Sequence, residues 1–152
     1  MTSVRSKRRL FLCFSAWLGV LIWMAVIFAL SAQHSSESAA LSGRFLAMLN
    51  TFFGGKLTGL LVRKAAHMTE YFLLAVLTFN AVLLTRQKPK PFLTFFIALL
   101  FAVSDEIHQH FVPGRACQIQ DMLIDSVGVI GGILFCMAVV TVYRLLKKRK
   151  KT

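Results

Sequence analysis

The sequence predicts an all-α fold, a polytopic membrane helix bundle with about four transmembrane helices. Of the 152 residues, 57% are hydrophobic, and the mean hydropathy of +0.67 is too high for an ordinary soluble domain. Residues 10–30 carry no charge, and about 21 helical residues span the roughly 30 Å hydrocarbon core of a bilayer. The basic residues form short clusters between apolar segments, as membrane topology requires.

Four apolar segments, at about residues 10–30, 64–84, 92–111 and 119–143, are the predicted spans. The first is longer than the core of a signal peptide, which is about 7 to 15 residues, so we expect it to be retained. A cleaved signal peptide is the alternative, because residues 29–31 form a passable cleavage site. Pro89 and Pro91 separate the second and third spans, since proline cannot continue a helix.

Three clusters hold most of the 18 basic residues and predict the orientation. Because positive charge is retained on the cytoplasmic side, both termini and the middle linker are expected in the cytoplasm of a multi-pass cell-membrane protein. One membrane domain, 10–146, then lies between a basic N-terminus, 1–9, and a basic tail, 147–152. The clusters are Arg5, Lys7, Arg8 and Arg9; Arg86, Lys88 and Lys90; and Arg144, Lys147, Lys148, Arg149, Lys150 and Lys151.

The expected partners follow from where this charge lies. The basic tail should lie against anionic lipid headgroups, which makes membrane lipids partners of the chain. The net charge of +12 does not indicate nucleic acid, because the basic residues do not share one face with base-stacking aromatic residues. The three cysteines are far apart and odd in number, so they predict neither a disulfide framework nor a cysteine metal site. The sequence gives no oligomeric state.

The first outer loop, about residues 31–63, is the longest loop and contains a periodic apolar pattern. This pattern predicts a short amphipathic helix that lies at the outer interface or against the bundle. Core packing is the simpler interpretation of the segment, and a lid over a site beneath it is the alternative. The apolar positions are Leu41, Phe45, Met48, Leu49, Phe52 and Phe53.

Polar side chains from three predicted spans converge at the depth of the outer leaflet. The second and fourth spans begin outside and carry their polar residues in their first turns, whereas the third carries them in its last turns. A random scatter of tolerated polar residues would not favour one leaflet in all three spans. The residues are Arg63, Lys64, His67, Glu70 and Tyr71; Ser104, Asp105, Glu106, His108, Gln109 and His110; and Asp121 and Asp125.

Helical spacing places several of these residues on common faces. Arg63, His67 and Glu70 follow i, i+4, i+7 spacing, so they share one face. On the third span, Asp105, His108 and Gln109 share a face, and Glu106 and His110 lie on the adjacent side of the helix.

The first turns of the fourth span combine acidic residues with a close-packing motif. Asp121 and Asp125 are one turn apart, and their stripe continues through Gly128 and Gly132. Small residues at this spacing let helices approach closely in a membrane. The carboxylates of Asp121 and Asp125 are therefore expected to point into the bundle.

Pairing among the charged residues is the simplest explanation of the cluster. Residues 112–115 fit a tight turn that would hold Arg115 beside it. A charged group at the centre of a bilayer costs about 2.5 to 3.5 kcal/mol and persists when it is paired or lines a watery cavity. Arg63, Lys64 and Arg115 can pair with the carboxylates, so a purely structural salt-bridge network is one hypothesis. The added histidines and tyrosine favour a functional site instead.

Four motifs resemble the VanZ-like family over roughly residues 10–140. They are Arg-Lys-x-x-His-x-x-Glu-Tyr at 63–71, Ser-Asp-Glu-Ile-His-Gln at 104–109, Pro-Gly-Arg at 113–115 and Asp-x-x-x-Asp-x-x-Gly at 121–128. Ser31-x-Gln33 also fits the family pattern, while Cys117 and Asp125 depart from it slightly. The resemblance implies a bacterial integral membrane protein of the cell envelope. The name-giving member of the family is linked to resistance to the glycopeptide antibiotic teicoplanin.

The first functional hypothesis is a membrane enzyme that acts on a lipid-linked or envelope substrate at the outer leaflet. Glu106 and His108 are the acid–base candidates, with Asp105 and Asp121 as further catalytic carboxylates. A divalent metal is one option for a cofactor, because histidine and carboxylates are suitable ligands. The candidate metal ligands are His67, Glu70, Asp121 and Asp125. The candidate substrate-binding residues are Arg63, Lys64, Tyr71, Gln109 and Arg115.

The second hypothesis is a non-catalytic protein that binds or shields an amphiphile, such as a glycopeptide or a lipid-linked cell-wall intermediate. The basic rim would hold anionic groups and the phenylalanine-rich loop would hold an acyl chain. A transporter is less favoured, because the polar residues stop at one leaflet and leave no polar path across the bilayer within one chain.

Overall fold

The computed structural model describes residues 2–33, 43, 45–51, 54, 55, 57–113 and 119–150, with side chains from residue 7 onward. Four long helices form the bundle: α1 (Thr2–Ser31), α2 (Gly59–Arg86), α3 (Pro91–His110) and α4 (Ile119–Arg149). All four are long and apolar enough to cross a membrane. The predicted all-α membrane bundle with four spans is therefore confirmed.

The helix ends show why the spans are longer than the apolar pattern predicts. α2 begins five residues before the predicted start, because the Thr58 hydroxyl caps it by accepting a hydrogen bond of 3.3 Å from the Leu61 N–H. It ends at Gln87, whose left-handed φ of 57° lets its N–H bond the Leu83 carbonyl at 2.8 Å. Pro91 opens α3 in the first turn, where a missing N–H costs nothing.

The loop before α2 is described in part. Residues 45–51 have helical backbone, within the stretch where the apolar pattern predicts an amphipathic helix. Leu41, Phe52 and Phe53 lie outside the described residues. The placement of this helix at the interface stays a prediction.

Contacts of α1 show that it runs antiparallel to α2 and parallel to α3. Near the start of α1, the Arg9 guanidinium donates to the Thr85 carbonyl at 3.2 Å and the Trp17 indole donates to the Thr85 hydroxyl at 3.0 Å. At the end of α1, the Ser31 hydroxyl reaches Asp105 near the end of α3. The bundle thus has a polar end, where α1 and α3 finish and α2 and α4 begin. The opposite end carries the basic clusters and is named the basic end.

Two glycines of α4 bring its backbone against α2. A Cβ added at Gly132 would lie 2.5 Å from the Phe72 carbonyl oxygen and 2.9 Å from the Ala75 Cβ, and one added at Gly128 would overlap the Met68 carbonyl oxygen. These glycines follow Asp121 and Asp125 on one stripe, and all four residues are buried. The predicted small-residue face of the fourth span is therefore its packing face on α2.

The surface of the bundle is apolar apart from its ends. Large side chains such as Phe11, Phe92, Leu100 and Leu134 are exposed on the outside, while Tyr71 and its neighbours fill the core. This is the distribution of a multi-pass membrane protein, in which lipid covers the outer face.

Replacing Gly128 or Gly132 by alanine should destabilise the bundle by about 1 to 3 kcal/mol, because the added methyl group meets α2 backbone that cannot rotate away. Gly131→Ala is the matched control, since its Cβ would meet the Phe72 ring at an ordinary 3.5 Å. Thermal unfolding of the three variants in detergent checks this. Equal melting temperatures for all three would contradict the close helix approach.

Candidate functional site

Asp105 is the centre of a hydrogen-bond network at the polar end. Its Oδ2 accepts hydrogen bonds from the Ser31 hydroxyl at 2.8 Å, the Gln109 amide at 3.0 Å and the Tyr71 hydroxyl at 3.3 Å. The Gln109 amide also donates to the Ser31 hydroxyl at 3.2 Å. These donors come from α1, α2 and α3, and every one of these side chains is fully buried. The network therefore joins three helices through one carboxylate.

Asp105 belongs to a larger group of carboxyl groups. Asp125 lies within electrostatic range of four others, on α2, α3 and α4. Five of the six acidic residues of the chain therefore belong to one cluster. The sixth, Glu37, lies outside the described residues. This acidic cluster consists of Glu70, Asp105, Glu106, Asp121 and Asp125.

A cleft opens beside this cluster, between the first turns of α2 and α4. It has a volume of about 250 Å³. The Arg63 guanidinium lies 3.8 Å from the Asp121 carboxylate across it, and the Arg63 side chain is 36% exposed. A partly exposed ion pair of this length is weak, so Arg63 can exchange its partner for a ligand. The lining residues are Leu60, Arg63, Lys64, His67, Gln120, Asp121 and Ile124.

The histidines of the predicted site lie in three different surroundings. His67 lines the cleft, with its Nδ1 3.7 Å from the Glu70 carboxylate one turn along α2. The His108 ring packs edge-on against the Phe28 ring of α1, with ring centres 5.1 Å apart. His110 is exposed. His67 is therefore the histidine that the structure places at the cleft.

The structure thus brings most of the predicted residues together in two adjoining places. Arg63, Lys64, His67 and Asp121 line the cleft, while Tyr71, Asp105 and Gln109 form the buried network. Glu106 is buried, next to Asp105 in the chain, and belongs to the acidic cluster. His108 packs against Phe28 of α1, three residues before Ser31. Arg115 lies outside the described residues.

The divalent-metal hypothesis concerned His67, Glu70, Asp121 and Asp125. Within the described ranges, no group of three or more His, Cys, Asp or Glu side chains is arranged to hold a metal ion. The assignment of a metal to these residues stays a prediction.

Ser31 is a member of the network that sequence reasoning did not place in the site. Its hydroxyl gives Asp105 its shortest hydrogen bond, at 2.8 Å. The available signal was a small polar residue at the very end of the first apolar span. Nothing in local spacing shows that this residue faces a carboxylate 74 positions later in the chain.

The comparison with known families matches the model described as VanZ/LLP1 over residues 16–142. The chain belongs to the VanZ/LLP1 family. The match covers most of the chain and includes the cleft, the acidic cluster and the Asp105 network, so these features lie inside the family region of the VanZ/LLP1 protein. No curated protein and no solved structure matches the chain.

Ser31→Ala should destabilise this VanZ/LLP1 protein by about 0.6 to 1.7 kcal/mol, the range measured for side-chain hydrogen bonds between membrane helices. The variant removes a donor from a buried carboxylate. Ser126→Ala is the control, because the Ser126 hydroxyl bonds only the Met122 carbonyl of its own helix among the described residues. Unfolding in a mixed-detergent titration measures both. If Ser126→Ala is the more damaging change, the Asp105 network does not hold the helices together.

Proposed function

We propose that this VanZ/LLP1 protein is an integral membrane protein of the bacterial cell envelope that acts on a lipid-linked or envelope substrate at the outer leaflet. The observation that carries the proposal is the juxtaposition of Arg63 and Lys64 with the acidic cluster at one end of an otherwise apolar bundle. Ionisable groups inside a membrane are costly to maintain, and they characterise functional sites.

The orientation in this proposal is supported by the distribution of basic residues. The contact of Arg9 with Thr85 brings the basic N-terminus beside the end of α2, and the basic tail of α4 finishes at the same end of the bundle. Positive clusters are retained in the cytoplasm. We therefore propose that the basic end is cytoplasmic and that the cleft opens towards the outer leaflet.

The cleft is suited to the anionic headgroup of an amphiphile. The Arg63 guanidinium offers a planar pair of donors for a phosphate or carboxylate, and Lys64 adds a second positive charge. Both lie on the second turn of a helix that begins at Gly59, so an acyl chain can remain in the surrounding lipid while its headgroup enters between α2 and α4.

The carboxylates below the headgroup would supply acid–base chemistry. Asp121 lines the cleft and is the carboxylate best placed to contact a bound group. Glu106, which belongs to the acidic cluster, and His108, which packs against Phe28, are the proposed proton-transfer groups, and neither of them lines the cleft. Asp105 already receives three hydrogen bonds on one oxygen, so we assign it and the substrate-binding candidates Tyr71 and Gln109 to positioning the cluster.

The second candidate function is binding or shielding of an amphiphile without chemistry, and the partly exposed Arg63 favours it as much as it favours an enzyme. In either case a link to glycopeptide resistance would arise because a teicoplanin-like amphiphile, or the cell-wall lipid that it targets, occupies the cleft. Arg115 would add a further anion contact.

The test is teicoplanin and vancomycin susceptibility of a Gram-positive host that lacks its own homologue. Wild type should raise teicoplanin tolerance. Asp121→Asn and Lys64→Gln should return tolerance to background at normal membrane abundance, because they remove groups that line the cleft. Arg86→Gln, at the basic end, is the matched control and should protect as wild type does. Protection by all of these variants would contradict a working cleft.

Glu106→Gln separates the two candidate functions. A general acid or base contributes about 10²- to 10⁴-fold to a rate, so an enzyme should lose its protection with this isosteric change. A binding protein should keep most of it and should instead depend on Phe52 and Phe53. Immunoblots of membrane fractions provide the abundance control for each variant.

A further inference from the structure

The starting observation is the state of Asp125 in α4. The residue is 1% exposed, and neither of its carboxylate oxygens has a hydrogen-bond partner among the residues that the structure describes. The second oxygen of Asp105, Oδ1, is likewise without one in the same part of the chain. Buried carboxylates normally accept several hydrogen bonds, because leaving them unpaired in a low-dielectric interior is unfavourable.

Charge at the polar end shows the same imbalance. Four other carboxyl groups lie within electrostatic range of Asp125. The two basic side chains that the described polar end supplies, Arg63 and Lys64, line the cleft, and Arg63 pairs with Asp121 rather than Asp125. A positive hydrogen-bond donor beside Asp125 would therefore be stabilised.

Asp125 lies one helical turn beyond the cleft and is not one of its lining residues. Asp121 lines the wall of the cleft, and Asp125 follows one turn later on the same buried face of α4, about 6 Å further along the helix axis. A ligand that enters between α2 and α4 thus meets Arg63, Lys64 and Asp121 in the cleft, and the unpartnered carboxylate of Asp125 lies deeper along α4. A ligand that complements these charges carries both an anionic and a cationic group, and is therefore a zwitterion.

We propose that the cleft takes an amphiphile with a zwitterionic headgroup, whose phosphate or carboxylate lies at Arg63 and Lys64 and whose primary ammonium lies against Asp121 and Asp125. A primary ammonium has three N–H donors, which suit the two Asp125 oxygens that lack partners among the described residues. A quaternary ammonium has none, so it is disfavoured. The inference rests on the proposed function and specifies its substrate class.

The experiment uses the full-length protein purified in detergent and native mass spectrometry with an equimolar mixture of three dioleoyl lipids. The lipids carry phosphoethanolamine, phosphoglycerol and phosphocholine headgroups. We expect retention of the ethanolamine lipid to exceed that of the other two by about tenfold, the effect of one charge-assisted hydrogen bond. Equal retention of the ethanolamine and glycerol lipids, or of the ethanolamine and choline lipids, would overturn the proposal.

Two variants locate the effect. Asp125→Asn should lower retention of the ethanolamine lipid to the level of the glycerol lipid and leave the glycerol lipid unchanged, whereas Ser126→Ala should change neither. Should Asp125→Asn fail to fold, as judged by circular dichroism and size-exclusion chromatography, the wild-type comparison alone still decides. If Asp125→Asn folds and keeps the ethanolamine preference, the ammonium does not lie at Asp125 and the proposal is wrong.

Arg63→Gln distinguishes failure of this inference from failure of the proposed function. If wild type retains all three lipids equally and Arg63→Gln retains less of each, the zwitterionic headgroup is rejected but an anion-binding cleft remains supported. Equal retention that Arg63→Gln does not change would reject both. Competition with free O-phosphoethanolamine tests whether the ligand is a lipid or a water-soluble molecule. If the free headgroup displaces the ethanolamine lipid at an equal concentration, the acyl chains do not contribute to binding and the proposal of an amphiphile is wrong.

Discussion

The constraint on which this structure depends is that carboxylates inside a membrane must find hydrogen-bond donors. Asp105 meets it by drawing donors from three helices to a single oxygen, among them the Ser31 hydroxyl at 2.8 Å. The same bonds join the end of α1 to α2 and α3, where apolar side chains alone would give no preferred register against surrounding lipid. α4 is held differently, through the close approach of Gly128 and Gly132 to α2.

These two forms of packing place polar chemistry at one end of the bundle. The Asp105 network is closed and fully buried, whereas the cleft between α2 and α4 is open and carries a loose ion pair between Arg63 and Asp121. Asp125 is within electrostatic range of both Asp105 and Asp121, and its carboxylate has no hydrogen-bond partner among the described residues. A binding or catalytic site requires side chains that are held in place by buried hydrogen bonds, as in the Asp105 network, next to a cleft that a ligand can enter.

The sequence predicts the fold and the convergence of polar residues because both follow from one-dimensional signals. Apolar length gives the spans, and basic clusters give their alternation. Helical spacing correctly places Asp121 and Asp125 on the glycine face. It does not show that Ser31 contacts Asp105, because that contact depends on which neighbouring helix each face meets. The predicted start of the second span, at residue 64, was also too late. The apolar pattern is interrupted by the charged Arg63 and Lys64, whereas the helix itself begins after the capping residue Thr58.

The most direct test of the account is whether the cleft is open to the outside of the cell. Single cysteines at Gln120, which lines the cleft, and at Lys88, at the basic end, can be introduced after Cys13, Cys117 and Cys136 are replaced. A membrane-impermeant maleimide is then applied to intact cells and to lysed cells. The account predicts labelling of Gln120→Cys in intact cells and of Lys88→Cys only after lysis. The reverse pattern would contradict an outward-facing cleft.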